Sequence, residues 1–315
     1  MILSCGDALI DFVPAKTADA RDALMPVVGG SCLNVAVGLA RLEAPTGFVG
    51  GISTDLFGAM VADHAGASGV DLRFATRSED QTTLAFVRIV AGESHYAFYD
   101  AGTASRNWTY PTGAIPFATV DAIHLGSTTL VHDQGAAETR AMIADAGRLV
   151  TISFDPNCRP NLVKDKAAYR ERMDGFAGVA DMIKMSDVDF DYLHGHDDYG
   201  AVAETLLADG RSLFVVTRGP KGALAWHRNA GAVDVPAPAV TVVDTIGAGD
   251  SFQAALLFAL HKQMRIGKGD LPALSQTELR RALAFAAACA AVTCTRAGAD
   301  PPRWTEMAAI WDNLG

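Results

Sequence analysis

The chain has 315 residues, half of them hydrophobic, and a formal net charge of −10. This length and apolar content fit one large α/β domain or two smaller ones with an ample core, and they argue against a disordered chain. The acidic balance, with no run of Lys or Arg to offset it, argues against general binding to nucleic acid or anionic membranes. A small anionic ligand can still bind to an acidic protein where positive charge is gathered locally.

The start of the chain and its cysteines lead us to expect a cytoplasmic protein. Residues 1–13 contain no basic segment and are interrupted by Asp7 and Asp11, so they do not resemble a signal peptide. The longest uncharged apolar run, residues 282–292, is too short and too rich in Ala to span a bilayer and predicts a buried helix. No cysteine pair or His has metal-ligand spacing, which favours reduced, mostly buried thiols at Cys5, Cys32, Cys158, Cys289 and Cys294.

Apolar segments typical of strands alternate with helix-like segments along the chain. We predict strands at residues 2–3, 47–49, 122–125, 151–154, 182–185, 213–217 and 240–243, and helices after Gly30, from about Leu56 and in the Ala-rich segments between later strands. This rhythm predicts an α/β fold whose mostly parallel sheet is covered by helices on both faces. Ligands in such folds bind beyond the carboxyl ends of strands, and polar residues follow five of the predicted ends: Asp7, Asp155, Ser186, Arg218 and Asp244.

One region departs from this rhythm. Residues 82–90 and 94–99 alternate like the two strands of an antiparallel hairpin joined by residues 91–93. Together with residues 11–28, they predict a small accessory sheet. A static surface hairpin and a lid over a substrate are both compatible with this pattern.

Residues 244–252, Asp-Thr-Ile-Gly-Ala-Gly-Asp-Ser-Phe, place Asp250 directly behind a Gly-Ala-Gly turn. A helix is predicted to begin there, because an apolar face at helical spacing follows: Phe252, Ala255, Leu256, Ala259 and Leu260. Free N–H groups at a helix N-terminus favour an anion, so the turn can hold a phosphoryl group while Asp250 takes the proton of the attacking hydroxyl. Helix capping by Asp is the alternative explanation.

A second glycine turn precedes a predicted helix at residues 27–36. Gly29 and Gly30 permit close approach of the backbone to a ligand, and Asn34 is expected to face back towards the turn. A structural turn explains the same residues, and the spacing does not match the G-x-G-x-x-G of dinucleotide sites. Asp11, which follows the first strand, can pair with vicinal hydroxyls of a sugar or serve as a turn or edge-strand acid.

Three further segments carry polar residues near strand ends. Arg159, between two prolines, can bind substrate or a transferring phosphoryl group, and a structural salt bridge is the alternative. Ser186 and Asp189 have the spacing of a capping box. Residues 216–223 form an ordinary turn as far as their own sequence shows. No G-x-x-x-x-G-K-[ST], H-E-x-x-H or G-x-S-x-G occurs, so a P-loop, a zinc protease and a serine hydrolase have no support.

Taken together, these motifs resemble those of the ribokinase/PfkB family of sugar kinases, and bacterial fructokinases most closely. The resemblance runs from about residue 3 to residue 301 and includes the motif at 244–252, the glycine pair with Asn34, and Asp-Pro-Asn-x-Arg at 155–159. It implies a ribokinase-like three-layer α/β/α fold in a single domain over residues 1–315. Segments 12–28 and 82–100 are expected to form a β-sheet lid.

The resemblance also implies a role for each candidate residue. Asp250 is the implied catalytic base, beside an anion hole formed by Gly247, Ala248 and Gly249. The implied sugar ligands are Asp11, Gly29, Gly30, Asn34, Phe98 and Arg159. The implied nucleotide ligands are Lys184, Ser186, Thr217, Gly219, Gly222 and Gly249, and small residues at 282–292 leave room for adenine. Asp244 and the carbonyl of Ile246 are implied for a monovalent cation, and Asp189 for Mg²⁺ through water.

The implied reaction is ATP-dependent phosphorylation of a sugar primary hydroxyl, which converts D-fructose to fructose 6-phosphate. The implied ions are Mg²⁺ and K⁺. The implied oligomer is a homodimer formed through the lid. Ketodeoxygluconate kinases, which are similar, tend to carry a basic residue near the position of Asp100, so the acid here favours a neutral sugar. The alternatives are a kinase for another sugar, for 2-keto-3-deoxygluconate or for a nucleoside, and a non-catalytic sugar-sensing protein on the same scaffold.

Overall fold

The computed structural model describes residues 1–90, 93–195 and 198–314, with only the backbone described at residues 89, 90 and 93–95. Its strands in chain order are β1 (Ile2–Cys5), β2 (Leu9–Lys16), β3 (Asp22–Gly29), β4 (Thr46–Val49), β5 (Gly51–Ser53), β6 (Thr76–Ser78), β7 (Thr83–Val90), β8 (Glu93–Tyr99), β9 (Ala122–Gly126), β10 (Thr151–Asp155), β11 (Met182–Ser186), β12 (Leu213–Thr217), β13 (Ala223–His227) and β14 (Gly231–Val235).

Eight of these strands form the main sheet, in the order β14-β13-β12-β11-β10-β9-β1-β4. All neighbouring pairs from β4 to β12 are parallel, and only β13 and β14 add antiparallel pairs at one edge. The parallel strands are short runs of mostly apolar residues that are buried on both faces, as is typical when helices cover a sheet from both sides. The mostly parallel sheet predicted from the sequence is therefore confirmed.

The helices are α1 (Ser31–Arg41), α2 (Leu56–Ala67), α3 (Asp133–Ala146), α4 (Lys166–Ala177), α5 (Asp187–His194), α6 (Tyr199–Ala208), α7 (Ala248–Lys262), α8 (Gln276–Cys294) and α9 (Trp304–Asn313). Side chains of α1, α7, α8 and α9 share one hydrophobic core, and those of α3 to α6 share another. Consecutive strand residues such as Leu213 and Phe214 belong to opposite cores, because side chains alternate across a sheet. The fold is a three-layer α/β/α sandwich.

A separate four-stranded sheet has the order β3-β2-β7-β8. β2 and β7 are parallel, and each pairs antiparallel with its hairpin partner. The accessory sheet predicted from residues 11–28 and 82–99 is therefore confirmed. Residues 91 and 92 of the predicted hairpin turn lie outside the described residues.

The strand predicted at residues 240–243 is wrong. β14 ends at Val235, and residues 236–243 pair with no strand in the described part of the chain. Pro236 and Pro238 lack the N–H that a sheet ladder needs, so the ladder stops before the valines. Val240, Val242 and Val243 are exposed as a result, and Asp244 follows a loop rather than a strand.

The cysteines and the predicted apolar helix behave as expected. All five cysteines are free thiols, of which four are buried and Cys294 is half-buried. Residues 282–292 lie inside α8, whose apolar side packs on α7 in the core. Among the described helices, none combines the length and the apolar character that crossing a membrane requires.

Candidate active site

Two helices begin at glycine turns beside the carboxyl ends of the central strands. α1 follows Gly30, which has a φ of 106°, and α7 follows Gly247, which has a φ of 74°. These values lie in the region that glycine adopts at no steric cost. A Cβ at Gly30 would lie 2.6 Å from the Asp7 carbonyl oxygen, so the chains approach too closely here for a side chain.

Asp250 joins the first turns of these two helices. It lies in the first turn of α7 with 8% of its surface exposed. Its Oδ1 accepts a hydrogen bond from Ser31 Oγ at 2.6 Å, and its Oδ2 accepts one from Asn34 Nδ2 at 2.9 Å. The N-cap position of α7 is occupied by Gly247. The capping explanation for Asp250 is therefore wrong, since its carboxylate points to α1 and not to its own helix.

Opposing effects act on the pKa of Asp250. Burial raises the pKa above its ordinary value, because the carboxylate loses water. The hydrogen bonds from Ser31 and Asn34 and the positive charges of Lys184 and Arg159 favour the carboxylate and limit this rise. A raised pKa strengthens the affinity of the carboxylate for a proton, which suits a general base.

The turn before Asp250 leaves backbone donors free. The hydrogen-bond ladder of α7 starts with Ser251 N donating to Gly247 O at 2.8 Å. The N–H groups of Gly249 and Asp250 precede this bond and are not used by the ladder. They lie where the helix dipole favours negative charge, as an anion hole requires.

Asp7 stabilises the glycine turn before α1, and its carboxylate is not free to bind a ligand. Its Oδ1 accepts from Cys32 N at 3.0 Å, and its Oδ2 accepts from Ser127 Oγ at 2.8 Å and Thr128 Oγ1 at 3.0 Å. Asp7 thus ties the end of β1 to the start of α1 and to the segment after β9. With the bond from Leu33 N to the Asp7 carbonyl oxygen, Asp7 accepts four hydrogen bonds that hold this junction in place.

Asp11 has a free carboxylate on the accessory sheet. Asp11 of β2, Ala85 of β7 and Phe98 of β8 are register partners in adjacent strands, so their side chains project from one face. None of the described residues donates a hydrogen bond to the Asp11 carboxylate, and a Cβ at Gly29 would overlap its Oδ2. Burial raises the pKa of Asp11 to about 7, Arg159 opposes the rise, and Asp7 and Asp250 add to it.

Arg159 provides positive charge to the same space. Its Nη1 donates to the carbonyl oxygens of Asn157 at 3.1 Å and Cys158 at 3.0 Å. Among the described residues, no carboxylate forms an ion pair with it, so the structural salt bridge considered from sequence is absent. Burial opposes its charged form, but the carboxylates of Asp7 and Asp250 raise the pKa of Arg159 above its ordinary value.

Lys184 is buried behind the turn at residues 247–249, which we call the anion turn, and its side chain does not face a bound ligand. Its side chain is 2% exposed, and its Nζ forms an ion pair of 2.7 Å with Asp155, which is 3% exposed. The same Nζ lies 3.4 Å from Gly249 O. The role implied for Lys184 as a direct nucleotide ligand does not fit this burial, and the structure gives it contact with the backbone that forms the anion hole.

Ser186 and Asp189 form the capping box of α5. Ser186 Oγ accepts from Asp189 N at 3.0 Å, and the Asp189 carboxylate accepts from Cys158 N at 2.9 Å and Ser186 Oγ at 2.8 Å. Burial raises the pKa of Asp189, and the neighbouring Asp155 adds to the rise. Within the described residues no group of three or more His, Cys, Asp or Glu side chains could hold a metal ion. Ser186 and Asp189 are therefore not part of a protein cage for a divalent ion among these residues.

A cavity of about 500 Å³ opens next to the anion turn. Thr217, Gly219 and Gly222 line it from the end of β12 and the following turn, and Ala248 and Gly249 line it from α7. α8 contributes small side chains from the segment predicted to leave room for adenine: Ala287, Ala290 and Ala291. The structure thus brings together the residues that the resemblance implied for the nucleotide, except Lys184 and Ser186.

The Asp244 carboxylate binds two backbone N–H groups near the anion turn. Its Oδ1 accepts from Ile246 N at 3.0 Å, and its Oδ2 accepts from Gly298 N at 2.9 Å. These bonds connect the segment before α7 with the segment after α8. Next to Gly298, Ala299 packs so closely on Gly247 that a Cβ there would lie 2.5 Å from the Ala299 Cβ.

Asp100 has two basic neighbours that sequence reasoning did not identify. Its Oδ1 accepts from Arg106 Nη1 at 3.0 Å, and its Oδ2 contacts His132 Nε2. These three side chains line a small cavity with Phe98. Burial lowers the pKa of His132, which favours the neutral imidazole, and Asp100 opposes this. The charge of Arg106 is therefore balanced by Asp100 in the cavity wall.

Sequence reasoning also missed Ser31 and Tyr96. Ser31 stands between the glycine pair and Asn34, within the motif that was singled out, so its position was a usable signal. The Tyr96 ring stacks on Phe98 at 5.9 Å, on the face of the sheet that contains Asp11. Burial and the charge of Asp11 raise the pKa of Tyr96. No local pattern distinguishes Tyr96 from the other aromatic residues of the hairpin.

Comparisons with known proteins agree with this geometry. The family model of the pfkB family carbohydrate kinases matches residues 1–306. A fructokinase of Rhizobium leguminosarum bv. trifolii is 37% identical over 282 residues, which are 89% of this chain and 86% of the relative.

Two solved structures are similar over nearly the whole chain. The ATP-bound fructokinase of Xylella fastidiosa has a TM-score of 0.89 and 28% identity, covering 99% of this chain and 98% of that one. A double mutant of the Vibrio cholerae O395 fructokinase, bound to fructose, ADP and potassium ion, has a TM-score of 0.82 and 25% identity, covering 100% and 98%. With the family match, the two facing glycine turns and Asp250 between them, the chain belongs to the pfkB family of carbohydrate kinases.

Proposed function

We propose that the protein is a fructokinase that transfers the γ-phosphoryl group of ATP to a primary hydroxyl of D-fructose, giving fructose 6-phosphate and ADP. The observation that carries this proposal is the Asp250 carboxylate, held by Ser31 and Asn34 at a helix N-terminus with free N–H groups. The relatives named fructokinase support fructose as the acceptor.

The proposed reaction is an in-line displacement at phosphorus. Asp250 accepts the hydroxyl proton while the sugar oxygen bonds to the γ-phosphorus and ADP leaves with the electron pair of the broken P–O bond. The free N–H groups of Gly249 and Asp250 stabilise the charge on the phosphoryl oxygens, whereas Ala248 N already donates to Thr245 O at 3.3 Å. Arg159 adds positive charge from the side of the sugar. Positioning of this kind can supply on the order of 7–11 kcal/mol of the barrier.

We assign the sugar to the space between the accessory sheet and the first turn of α1. The free Asp11 carboxylate is suited to accept hydrogen bonds from hydroxyls. Gly29 and Gly30 let the backbone approach the sugar, and Phe98 lies in the same row as Asp11. Asn34 donates to Asp250 through its amide nitrogen, which leaves its amide oxygen for a hydroxyl.

We assign the nucleotide to the 500 Å³ cavity beside Gly249, with Thr217, Gly219 and Gly222 near its phosphates. Mg²⁺ bound to the triphosphate would neutralise charge between the β- and γ-phosphates. Ser186 and Asp189 would reach this ion only through water, since their own hydrogen bonds form a capping box. K⁺ would lie near Asp244 and the Ile246 carbonyl, as a support for the anion turn.

A neutral sugar is favoured over a sugar acid by the Asp100 cluster. Asp100 balances the charge of Arg106 in the described wall of the cavity that Phe98 lines, so Arg106 is not free to pair with a substrate carboxylate. Incubation with ATP and a panel of neutral sugars, 2-keto-3-deoxygluconate and nucleosides tests this preference. Fastest ADP production with D-fructose is expected; a faster reaction with another acceptor would replace fructose in the proposal, and sugar binding without ADP production would indicate a sensing protein.

Replacement of Asp250 by Asn tests the assignment of the base. Asn keeps the size of the side chain but cannot accept a proton, so we expect kcat to fall at least about a hundredfold with a modest change in KM. Calorimetric titration with ADP and with fructose is the control for an intact site. Near-normal kcat in this variant would remove Asp250 from the role of base.

We further propose a cytoplasmic, single-domain protein that dimerises through the outer face of the accessory sheet. That face exposes apolar side chains, including Tyr99, which is 64% exposed, and Leu24, and it contains the stacked rings of Phe12 and Phe86. Light scattering is expected to give twice the monomer mass of 33.1 kDa, and Tyr99→Arg is expected to give the monomer. Leu149→Arg, at an equally exposed apolar position elsewhere, is the control. A monomer mass for the unsubstituted protein would contradict the dimer.

A further inference from the structure

The cavity assigned to the nucleotide has an almost wholly apolar lining. Its side chains are those of Ala, Val, Pro and Phe residues with three small polar ones, and the described lining includes no charged or amide side chain. The three polar side chains are Thr217, Thr245 and Cys294. Base edges differ from one another in the positions of their hydrogen-bond donors and acceptors, so a site that discriminates among bases needs groups of fixed direction.

The two threonines are placed at the phosphate end of the cavity. Thr217 is the last residue of β12, whose carboxyl end faces the anion turn, and Thr245 precedes that turn by two residues. The opposite end is enclosed by residues 237–240 and by Ala287, Ala290 and Ala291 of α8. Within the loop, Pro238 has no N–H to offer a base. The side chains at this end thus offer apolar contact only, and its polar groups are those of the loop backbone.

We infer that this kinase discriminates weakly among purine bases and accepts other purine nucleoside triphosphates, such as GTP and ITP, as phosphoryl donors. The inference rests on the proposed function, because it takes this cavity to be the nucleotide site. A pocket that hydrogen-bonds its ligand can reject an analogue lacking the group by about 10⁴–10⁵-fold, whereas an apolar pocket discriminates by only about 10–200-fold. The weaker discrimination, that of an apolar pocket, is the one we expect for a lining of this composition.

The test compares ATP, GTP and ITP as donors to D-fructose, together with calorimetric binding of ADP, GDP and IDP in the presence of Mg²⁺. We expect similar kcat values and less than about a two-hundredfold spread in kcat/KM and in Kd. A larger preference for the adenine nucleotide would overturn the inference. If ATP and fructose give no ADP, the proposed function fails, and the binding constants of the diphosphates still decide the inference.

A substitution in the cavity tests where the base lies. Ala287→Leu places a larger side chain in the lining, so we expect it to weaken binding of all three diphosphates about tenfold or more, without a change in their order. Ala284→Leu, on the same helix but outside the lining, is the matched control and is expected to leave the three constants unchanged. Unchanged diphosphate binding in Ala287→Leu, with Tm and fructose binding retained, would place the base elsewhere and overturn the inference.

Discussion

At the scale of single residues, the proposed chemistry depends on how the Asp250 carboxylate is held. Ser31 and Asn34 each donate one hydrogen bond to it, and each bond favours the charged form. Burial acts in the opposite direction and raises the pKa. A buried base of this kind works only if enough neighbouring donors keep it ionised at the working pH.

This balance predicts the effect of Ser31→Ala on the pH profile. Because the pKa of Asp250 is raised, the base is protonated and activity is lost as pH falls through a value above the ordinary carboxyl range. Removal of the Ser31 hydrogen bond destabilises the carboxylate, so we expect the acid limb of kcat to move to higher pH.

Ser251→Ala is the matched control for this experiment. Ser251 is also buried at the start of α7, but its hydroxyl has no hydrogen-bond partner among the described residues. The acid limb should therefore stay in place when Ser251 is replaced. An unmoved limb in Ser31→Ala would show that Ser31 does not tune the base.

At the scale of elements, two glycine turns place the helix N-termini, and their close contacts explain why glycine is needed. Gly247 combines a positive φ with contact against Ala299. Behind the same turn, the Lys184–Asp155 ion pair lies next to the Gly249 carbonyl. The anion hole is thus supported by backbone contacts and a buried charge pair, and not by its own three residues alone.

Gly247→Ala is expected to impair both stability and catalysis. A left-handed conformation costs an alanine about 1–2 kcal/mol, and the overlap with Ala299 adds about 1–3 kcal/mol of overpacking. We expect a lower Tm and a reduced kcat, because the turn must shift away from the phosphoryl group. Thermal unfolding and steady-state kinetics measure the two effects.

Two further variants separate the causes of that loss. Gly66→Ala, in the last turn of α2 with no atoms near the added methyl group, should be neutral or slightly stabilising. Gly247→Ala combined with Ala299→Gly should recover part of the stability, since it removes the Cβ that the new methyl group meets. Equal Tm and kcat for Gly247→Ala and the unsubstituted protein would contradict the strain at this turn.

At the scale of the whole molecule, the proposed site is assembled from both sheets. The accessory sheet contributes Asp11 and Phe98, and the main sheet with α1 and α7 contributes Asp250 and the anion turn. A ligand that touches both parts should stabilise the whole fold, because it binds the native state and not the unfolded chain.

We therefore expect fructose and ADP each to raise Tm. A ligand present at a hundred times its Kd adds about 2.7 kcal/mol to the free energy of unfolding, which corresponds to a shift of several degrees. Asp11→Asn should lose most of the shift caused by fructose and keep the shift caused by ADP, since Asp11 does not line the nucleotide cavity. Loss of both shifts would instead indicate a general defect in the fold.

Local patterns were sufficient to predict a large part of this protein. The parallel strands of the main sheet, the hairpin and the starts of α1 and α7 follow from apolar runs and glycine turns. The predicted strand at residues 240–243 was wrong because the propensity of valine was outweighed by the two prolines before it. Lys184 was misassigned because burial beside Asp155 depends on how β10 and β11 pair, which no short pattern encodes.

By itself, the sequence determined the fold class and the kind of chemistry, since glycine turns and the acid behind them are defined by neighbouring residues. Only the tertiary structure decided which groups surround that acid. Ser31 and Asn34 lie 219 and 216 residues from Asp250 in the chain, and they meet it because two helices begin beside the same strand ends. The balance of Arg106 by Asp100 and the apolar lining of the cavity also arise from contacts between distant segments. These contacts, rather than the motifs, underlie our inferences about sugar and donor preference.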